Sequence, residues 1–287
     1  MRIDSHHHLW QYSAADYPWI SDSMSELKRN FRVEDLRQQS ASIDITGALT
    51  VQARQSIQET EWLLEISQSD AFVLGVVGWV PLISEEVHAF LERFQEFPKF
   101  RAVRHVVQDE PDDNFLLGEA FNRGVSILAN FELVYDILIY PKQLEAAITF
   151  VDRHPQQAFV LDHIAKPRVQ SNRHDHEWEQ RFRELARRDH VSCKFSGIVT
   201  EVRDTEWNTE MIRPYWEIAL EAFGADRLMF GSDWPVCLAR STYDRWGETV
   251  TDLVRELSET EQAAFWAGNV ARVYQFESPA PDNLDPV

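Results

Sequence analysis

An almost unbroken apolar run over residues 72–80 constrains the fold of this chain more than any other sequence feature. A strand that is apolar at every position has to be covered on both faces, which is typical of a parallel sheet flanked by helices. Pro81 ends the run. Similar runs alternate with helical patterns along the chain, and parallel strands need crossover segments of this kind. The sequence therefore predicts an α/β fold.

The spacing of these runs predicts eight strands. They lie at residues 2–6, 46–52, 72–80, 100–107, 133–139, 158–163, 191–196 and 227–231. The intervening helices include 114–125, 211–223 with Gly224 as its stop, one that begins at Ser84, and a closing helix at 259–271. Eight alternating units in 287 residues match a single (β/α)8 TIM barrel. We expect one barrel domain over residues 1–276 and an extended or disordered tail over 277–287, which carries three prolines.

Charge and composition narrow the classes of partner. The net charge of -19 predicts repulsion of nucleic acid and of anionic membrane surfaces. No apolar run reaches membrane-spanning length, and the first residues lack a signal-peptide pattern. Two cysteines, Cys193 and Cys237, are too few for a disulfide scaffold and indicate buried thiols. We expect a soluble cytoplasmic protein with a small-molecule substrate, and the sequence leaves a homo-oligomer open.

The first strand runs directly into three consecutive histidines. Alternate residues of a strand share a face, so Asp4, His6 and His8 are predicted to lie on one face and His7 on the other. Two imidazoles at this spacing can hold one metal ion or one substrate oxygen. Three histidines inside a strand-like segment do not resemble an expression tag.

Further polar residues cluster where the predicted strands end, which is where a barrel of this kind forms its active site. The candidates at these ends are Gln52, Trp79, Arg104, His105, His163, Lys194 and Asp233. Trp79 and Trp234 could stack on a sugar ring. Lys166 fits either a substrate carboxylate or a solvated loop.

Strand alternation also predicts the directions in which individual side chains point. It places His163 and Asp162 on opposite faces of the sixth strand. It places Gly231 and Asp233 on one face of the eighth, where the glycine would leave room for a ligand. Lys194 is predicted to face the barrel interior.

Six segments resemble the amidohydrolase superfamily in its lactonase-like branch. They are IDSHHHLW, GVVGWVPL, VRHVVQDEPD, VLDHIAKP, CKFSG and LMFGSDWPV, in order from residue 3 to about residue 274. The resemblance implies a distorted (β/α)8 barrel and hydrolytic chemistry. Within that branch the chain is most similar to sugar lactonases that open fuconolactone or rhamnonolactone, with aromatic dicarboxylate lactonases as more distant relatives.

The resemblance also implies roles for individual residues. His6 and His8 match the His-x-His pair, His163 a later strand histidine, Asp233 the base that activates water, and Arg104 with His105 a pair that would face the substrate. The fourth strand lacks the bridging lysine of binuclear members, and the fifth lacks the histidine of mononuclear ones. The remaining ligands, His6, His8, Asp233 and His163, suffice for one divalent ion, for which zinc is expected. Catalysis without an essential metal stays open.

Lactone hydrolysis is the function that the sequence favours. Asp233 would activate the water, and the predicted substrate contacts are Gln52, Trp79, Lys166, Lys194 and Trp234. The alternatives are a metal-dependent decarboxylase or amidohydrolase that acts on a small carboxylated substrate, and a catalytically silent sugar-binding barrel.

Overall fold

Eight parallel strands form the centre of the molecule in a computed structural model that describes residues 1–171 and 173–277. In sequence order the strands are β1 Arg2–His7, β2 Ile45–Val51, β3 Val73–Gly78, β4 Phe100–His105, β5 Val134–Ile137, β6 Phe159–Leu161, β7 Val191–Phe195 and β8 Leu228–Phe230. Each strand pairs with the next, and a parallel bridge between His7 and Trp234 brings the chain after β8 back to β1. The predicted (β/α)8 barrel is therefore confirmed.

Helices follow the strands and cover the outside of the barrel. They are α1 Val33–Ser40, α2 Ile57–Ser69, α3 Val87–Phe94, α4 Glu119–Leu128, α5 Leu144–Arg153, α6 His176–Ala186, α7 Thr209–Phe223, α8 Tyr243–Val254, α9 Glu259–Ala263 and α10 Asn269–Val273. Gly224 ends α7 as predicted, with φ 71°. Within the described ranges, every helix is too short or too polar to cross a membrane.

Some helix boundaries differ from the prediction. The helix expected from Ser84 begins at Val87, after a turn that Pro81 opens. A short 3-10 helix, Phe115–Leu117, precedes α4, and a π-helical turn, Ala264–Gly268, separates α9 from α10. The predicted tail lies outside the described residues except for Glu277, and the domain boundary at residue 276 stays a prediction.

The barrel interior has an apolar end and a polar end. Its apolar residues are Ile3, Leu49, Val51, Val77, Ala102, Val134, Val160 and Met229. Ala267, Val270 and Tyr274, from the chain's last helical turns, close this end. Water is excluded from this apolar end, and an unpaired polar group would be costly there. The polar side chains of the barrel interior are therefore concentrated towards the carboxyl ends of the strands.

The alternation of β1 is interrupted, which corrects the prediction for Asp4. Ile3 packs inside the barrel, yet the Asp4 carboxylate points outward and accepts a hydrogen bond from the Tyr243 hydroxyl of α8 at 3.0 Å. The register with β2 shifts between Asp4 and His7, as at a β-bulge. The extra residue turns His6 and His8 inward and leaves Asp4 on the opposite side, so the prediction that Asp4 shares their face is wrong.

Candidate active site

The two histidines at the end of β1 meet inside the barrel mouth. Their Nε2 atoms are 3.3 Å apart, and both side chains are buried. The Nδ1 of His8 lies 2.8 Å from the carbonyl oxygen of Val51, and the Nδ1 of His6 lies 3.2 Å from an oxygen of Asp162. These oxygens only accept hydrogen bonds, so they favour a proton on each Nδ1. The two Nε2 lone pairs then face each other, and Nη1 of Arg104 lies 3.3 Å from Nε2 of His6 as a donor.

Asp233 completes this group. Its Oδ1 lies 3.5 Å from Nε2 of His8 and 3.9 Å from Nε2 of both His6 and His163. The Asp233 amide donates to the carbonyl of His6 at 2.8 Å, and a left-handed backbone conformation (φ 56°) directs its side chain over the barrel. Burial would raise the pKa of Asp233, but interactions with His163 and His8 outweigh it and hold the pKa below its usual value. The carboxylate is therefore ionised at neutral pH.

His163 reaches the cavity through an unusual turn. All four residues from His163 to Lys166 have positive φ, a conformation that costs about 1–2 kcal/mol per residue. Two residues directly after β7 stabilise this turn. The Ser196 hydroxyl lies 2.8 Å from Nδ1 of His163. Gly197 leaves room for the imidazole ring, because a Cβ at this position would lie 2.5 Å from the same nitrogen. Burial lowers the pKa of His163 to about 4, which keeps the ring neutral.

The same turn overturns the expectation for Asp162. Val160 and Asp162 point into the barrel, and the left-handed turn then brings His163 to the same cavity. Asp162 lies 3.0 Å from Nη1 of Arg104 and 3.0 Å from Nζ of Lys194. Burial would raise the pKa of Asp162, but Lys194 and His6 hold it well below its usual value. A buried ionic layer therefore lies directly beneath the histidines.

This layer determines the position of Lys194. The ammonium group faces inward as predicted, but it is fully buried and lies 2.5 Å from Asp136. The Tyr274 hydroxyl donates to Asp136 from the closed end of the barrel at 2.9 Å. Two cations, Arg104 and Lys194, thus balance two carboxylates beneath the site. The structure thus places Lys194 beneath the cavity at the barrel mouth rather than on its wall.

The cavity above this layer has a volume of about 560 Å³. Among the predicted site residues, those that line it are His8, Arg104, His163, Lys166 and Asp233. The lining also includes residues that sequence reasoning did not single out, among them Trp19, Asp109, Tyr140, Glu201 and Arg203. The sequence predicts specificity from the loops 12–29 and 109–115, which contain Trp19 and Asp109, but it does not predict loop shapes. All five residues belong to loops or short 3-10 turns beyond the strand ends, where neither strand alternation nor helical periodicity applies.

Four other predicted residues lie away from the cavity wall. His105 points towards the helices, where its ring stacks on that of Phe115 with 4.9 Å between the ring centroids. The indole nitrogen of Trp79 points at Nδ1 of His105 rather than into the cavity. Trp234 is fully buried, with its ring 5.1 Å from that of Phe31. Gln52 is also buried and accepts a hydrogen bond from Arg104 at 3.1 Å.

Gly231 has a different use from the predicted one. An added Cβ would lie 2.9 Å from the Cβ atoms of His6 and Ser196. The absence of a side chain makes room for the His6 side chain rather than for a ligand.

Glu59 shapes the loop that follows β2, part of which lines the cavity. Its Oε2 accepts hydrogen bonds from the amides of Ala53 and Arg54, both at 2.9 Å, and its Oε1 accepts from Tyr17 at 3.1 Å. The carboxyl group is buried. Burial raises its pKa to about 7, despite these hydrogen bonds.

We therefore expect Glu59→Gln to change the pH dependence of folding. Because the folded-state pKa of Glu59 exceeds the reference value of 4.5, the folded protein binds the extra proton between these values and loses stability as pH rises through about 7. Glutamine keeps an acceptor for the amides and donates to Tyr17. The variant's unfolding free energy relative to wild type should rise by about 3 kcal/mol between pH 4.5 and about pH 8, in urea titrations. Exposed Glu65 provides the control: Glu65→Gln should give a constant difference, and parallel curves for Glu59→Gln would refute the prediction.

The donor atoms of His6, His8 and Asp233 fit one divalent ion. Ligands at 2.0–2.1 Å in a tetrahedral zinc site lie about 3.3 Å apart, close to the observed 3.3, 3.5 and 3.9 Å. Burial lowers the pKa of His6 well below its usual value, so the ring is in its neutral, ligand-competent form. Asp162 holds its other nitrogen, as carboxylates do behind metal-bound histidines.

Comparisons with known proteins find relatives over nearly the whole chain. A family model described as amidohydrolase matches residues 3–276. An L-fucono-1,5-lactonase from Burkholderia multivorans is 38% identical over 305 residues, covering 99% of both chains, and one from Burkholderia ambifaria is 32% identical over 289 residues, covering 98% of both. A crystal structure of an amidohydrolase from Burkholderia multivorans with bound zinc superposes with a TM-score of 0.91 at 38% identity, covering 96% of this chain and 100% of that one.

Proposed function

Because the chain belongs to the amidohydrolase family, we propose that it is a lactonase that hydrolyses a sugar lactone of the L-fucono-1,5-lactone kind to the sugar acid. The observation that carries this proposal is the ionised Asp233 carboxylate, which faces His8 and His163 in a cavity of about 560 Å³. A cavity of this volume accommodates a small ligand such as a six-carbon lactone. The identity to two L-fucono-1,5-lactonases supports the substrate class.

The residues divide the reaction between them. Asp233 accepts a proton from water as the water oxygen attacks the lactone carbonyl. Arg104, a permanent cation at the cavity wall, stabilises the negative charge that develops on the carbonyl oxygen. The ring C–O bond then breaks, and the leaving alkoxide takes up the proton that Asp233 accepted from water, which restores the Asp233 carboxylate and forms the hydroxyl of the sugar acid. The ionic layer beneath fixes the direction of Arg104 and His6 throughout.

We further propose that His6, His8 and Asp233 hold one zinc ion. The zinc-bound structure of the Burkholderia multivorans amidohydrolase supports this choice of metal. Such an ion polarises a carbonyl and lowers the pKa of bound water. His163 lies 3.9 Å from Oδ1 of Asp233, does not belong to this set of three ligands and stays available to the substrate.

A pH-indicator assay over a panel of substrates tests the activity. We expect L-fucono-1,5-lactone to be opened with kcat/KM above about 10⁴ M⁻¹s⁻¹, and L-rhamnono-γ-lactone more slowly. An acyl-homoserine lactone, which lacks the ring hydroxyls, should react least. Release of CO2 from an aromatic acid, or amide cleavage, without opening of any sugar lactone would contradict the proposal.

Metal content is measured on the same preparations. Elemental analysis should find one zinc per chain, and dialysis against a chelator should lower kcat at least about ten-fold, with recovery on addition of one equivalent of zinc. Full activity in a chelated, zinc-free preparation would instead assign the chemistry to Asp233, the histidines and Arg104 alone.

A further inference from the structure

A second cavity, of about 740 Å³, lies beside the catalytic one. Tyr140, Lys166 and Arg203 line both cavities and form the wall between them. The basic residues around the second cavity are Lys142, Lys166, Arg168, Arg173, Arg181 and Arg203, together with His174 and His176. Its acidic lining residues are Asp175 and Glu177. We call this space the basic cavity.

The charge of the basic cavity is opposite to that of the chain. The sequence has 47 acidic and 28 basic residues, so a random surface patch would be acidic. Six of the basic residues nevertheless converge on one cavity, against two carboxylates. A concave, positively charged surface attracts and concentrates anions.

The two carboxylates are already engaged. Asp175 accepts hydrogen bonds from the amides of Arg168 and Trp178, at 3.3 and 3.2 Å, and so caps the first turn of α6. Glu177 pairs with Arg181 at 2.6 Å. In the described ranges, no carboxylate oxygen lies within 4.0 Å of the charged groups of Lys166, Arg168 or Arg173. These three cations are available to an external anion.

The reaction itself supplies a suitable anion. Lactone hydrolysis converts a neutral ring into a carboxylate, so only the product gains Coulombic attraction from the basic cavity. The partly exposed aromatic side chain of Tyr140 lines the same space and offers an apolar face to the carbon skeleton of a sugar acid. Lys166 and Arg203 line both cavities, so positive charge extends from the catalytic cavity to the basic cavity.

We propose that the basic cavity is a product-binding site, which takes the sugar acid as its carboxylate after the ring has opened. This inference rests on the proposed lactonase function. It assigns Arg168 and Arg173 to product binding, because both are exposed, lack a carboxylate partner among the described residues and lie outside the catalytic cavity.

Calorimetric titration of the full chain at low salt tests the proposal. The probes are sodium L-fuconate, its neutral sugar alcohol L-fucitol, and inorganic phosphate. We expect fuconate to bind, with an affinity that falls as salt is added, and fucitol to show no such binding. Arg168→Glu/Arg173→Glu should weaken fuconate binding at least about ten-fold and raise the product-inhibition constant by the same factor. Arg168→Gln/Arg173→Gln, a milder change, should weaken both in the same direction.

The matched control is Arg187→Glu/Arg255→Glu, which makes the same change in net charge at two exposed arginines outside both cavities. Measured at about 0.1 M salt, where the Debye length is about 10 Å and distant surface charges are screened, it should leave fuconate affinity within about two-fold. Equal affinities in wild type and Arg168→Glu/Arg173→Glu would overturn the proposal. Phosphate binding that depends on these arginines, without fuconate binding, would overturn the product assignment. Failure of the lactonase function is distinguished by the absence of lactone opening in wild type, because the titrations need no turnover.

Discussion

Replacing Asp233 with asparagine is expected to lower kcat about 10³-fold while the protein stays folded. A positioned general base typically contributes 10²–10⁴-fold, and asparagine cannot accept the proton from water. The side chain keeps its shape, and its amide oxygen still faces His8 and His163, whose nitrogens now lie 3.5 and 3.9 Å from the carboxylate oxygen. Steady-state kinetics with the best lactone of the panel, together with a thermal melt, measure both effects.

Glu201→Gln is the matched comparison for Asp233→Asn. Glu201 is another carboxyl group that lines the same cavity, and burial raises its pKa. It does not belong to the cluster of His6, His8 and Asp233. We expect a loss of no more than about ten-fold in kcat, typical of one lost hydrogen bond rather than of a lost base. Near wild-type kcat in Asp233→Asn, or an equal loss in both variants, would refute the assignment of Asp233.

Replacing Asp162 with asparagine should destabilise the protein by about 3–5 kcal/mol, because it leaves buried cations without their counter-charge. Arg104 and Lys194 each lie 3.0 Å from this carboxylate, and Asp136 would remain as the single negative charge of the layer. Nδ1 of His6 would also lose its carboxylate acceptor. Urea titration measures the loss of unfolding free energy, and kcat should fall as well because His6 and Arg104 are no longer held in place.

Two further variants separate this effect from a general loss of charge. Asp152→Asn removes an exposed carboxylate from a pair with Arg188, and it should cost no more than about 1 kcal/mol. Lys194 keeps Asp136 as its partner, so Arg104 is the cation that Asp162→Asn leaves uncompensated. Arg104→Met added to Asp162→Asn removes that cation and should recover part of the stability, which a double-mutant cycle quantifies. A loss below about 1 kcal/mol in Asp162→Asn, or no coupling with Arg104, would contradict the role of the ionic layer.

The barrel could be predicted from the sequence because its signals are local. A run such as 72–80 identifies a buried strand without reference to the rest of the chain, and eight such runs with helices between them leave few possible architectures. The same argument places polar residues at the strand ends. His8, Arg104, His163 and Asp233 come together in the structure for this reason, and their catalytic roles stay predictions.

The direction of individual side chains could not be predicted in the same way. Strict alternation assigned Asp4 to the face of His6, but a bulge reverses it, and the bulge is stabilised by Ser232 and Tyr243, more than 200 positions away in sequence. The family resemblance assigns both His105 and its neighbour Arg104 to the substrate. Adjacent strand residues face opposite sides, however, and only the packing of His105 against Phe115 shows which of the two faces out.

The sequence by itself thus determined the barrel, the family and the strand ends at which the site forms. The tertiary structure decided which groups face the cavity. The left-handed turn at His163 exists because Gly197 and Ser196, on the neighbouring strand end, make room for the ring and bond to it. The ionic layer around Asp162 exists because four strands place their charges in one water-free space. Both depend on contacts between residues distant in sequence, which no local pattern encodes.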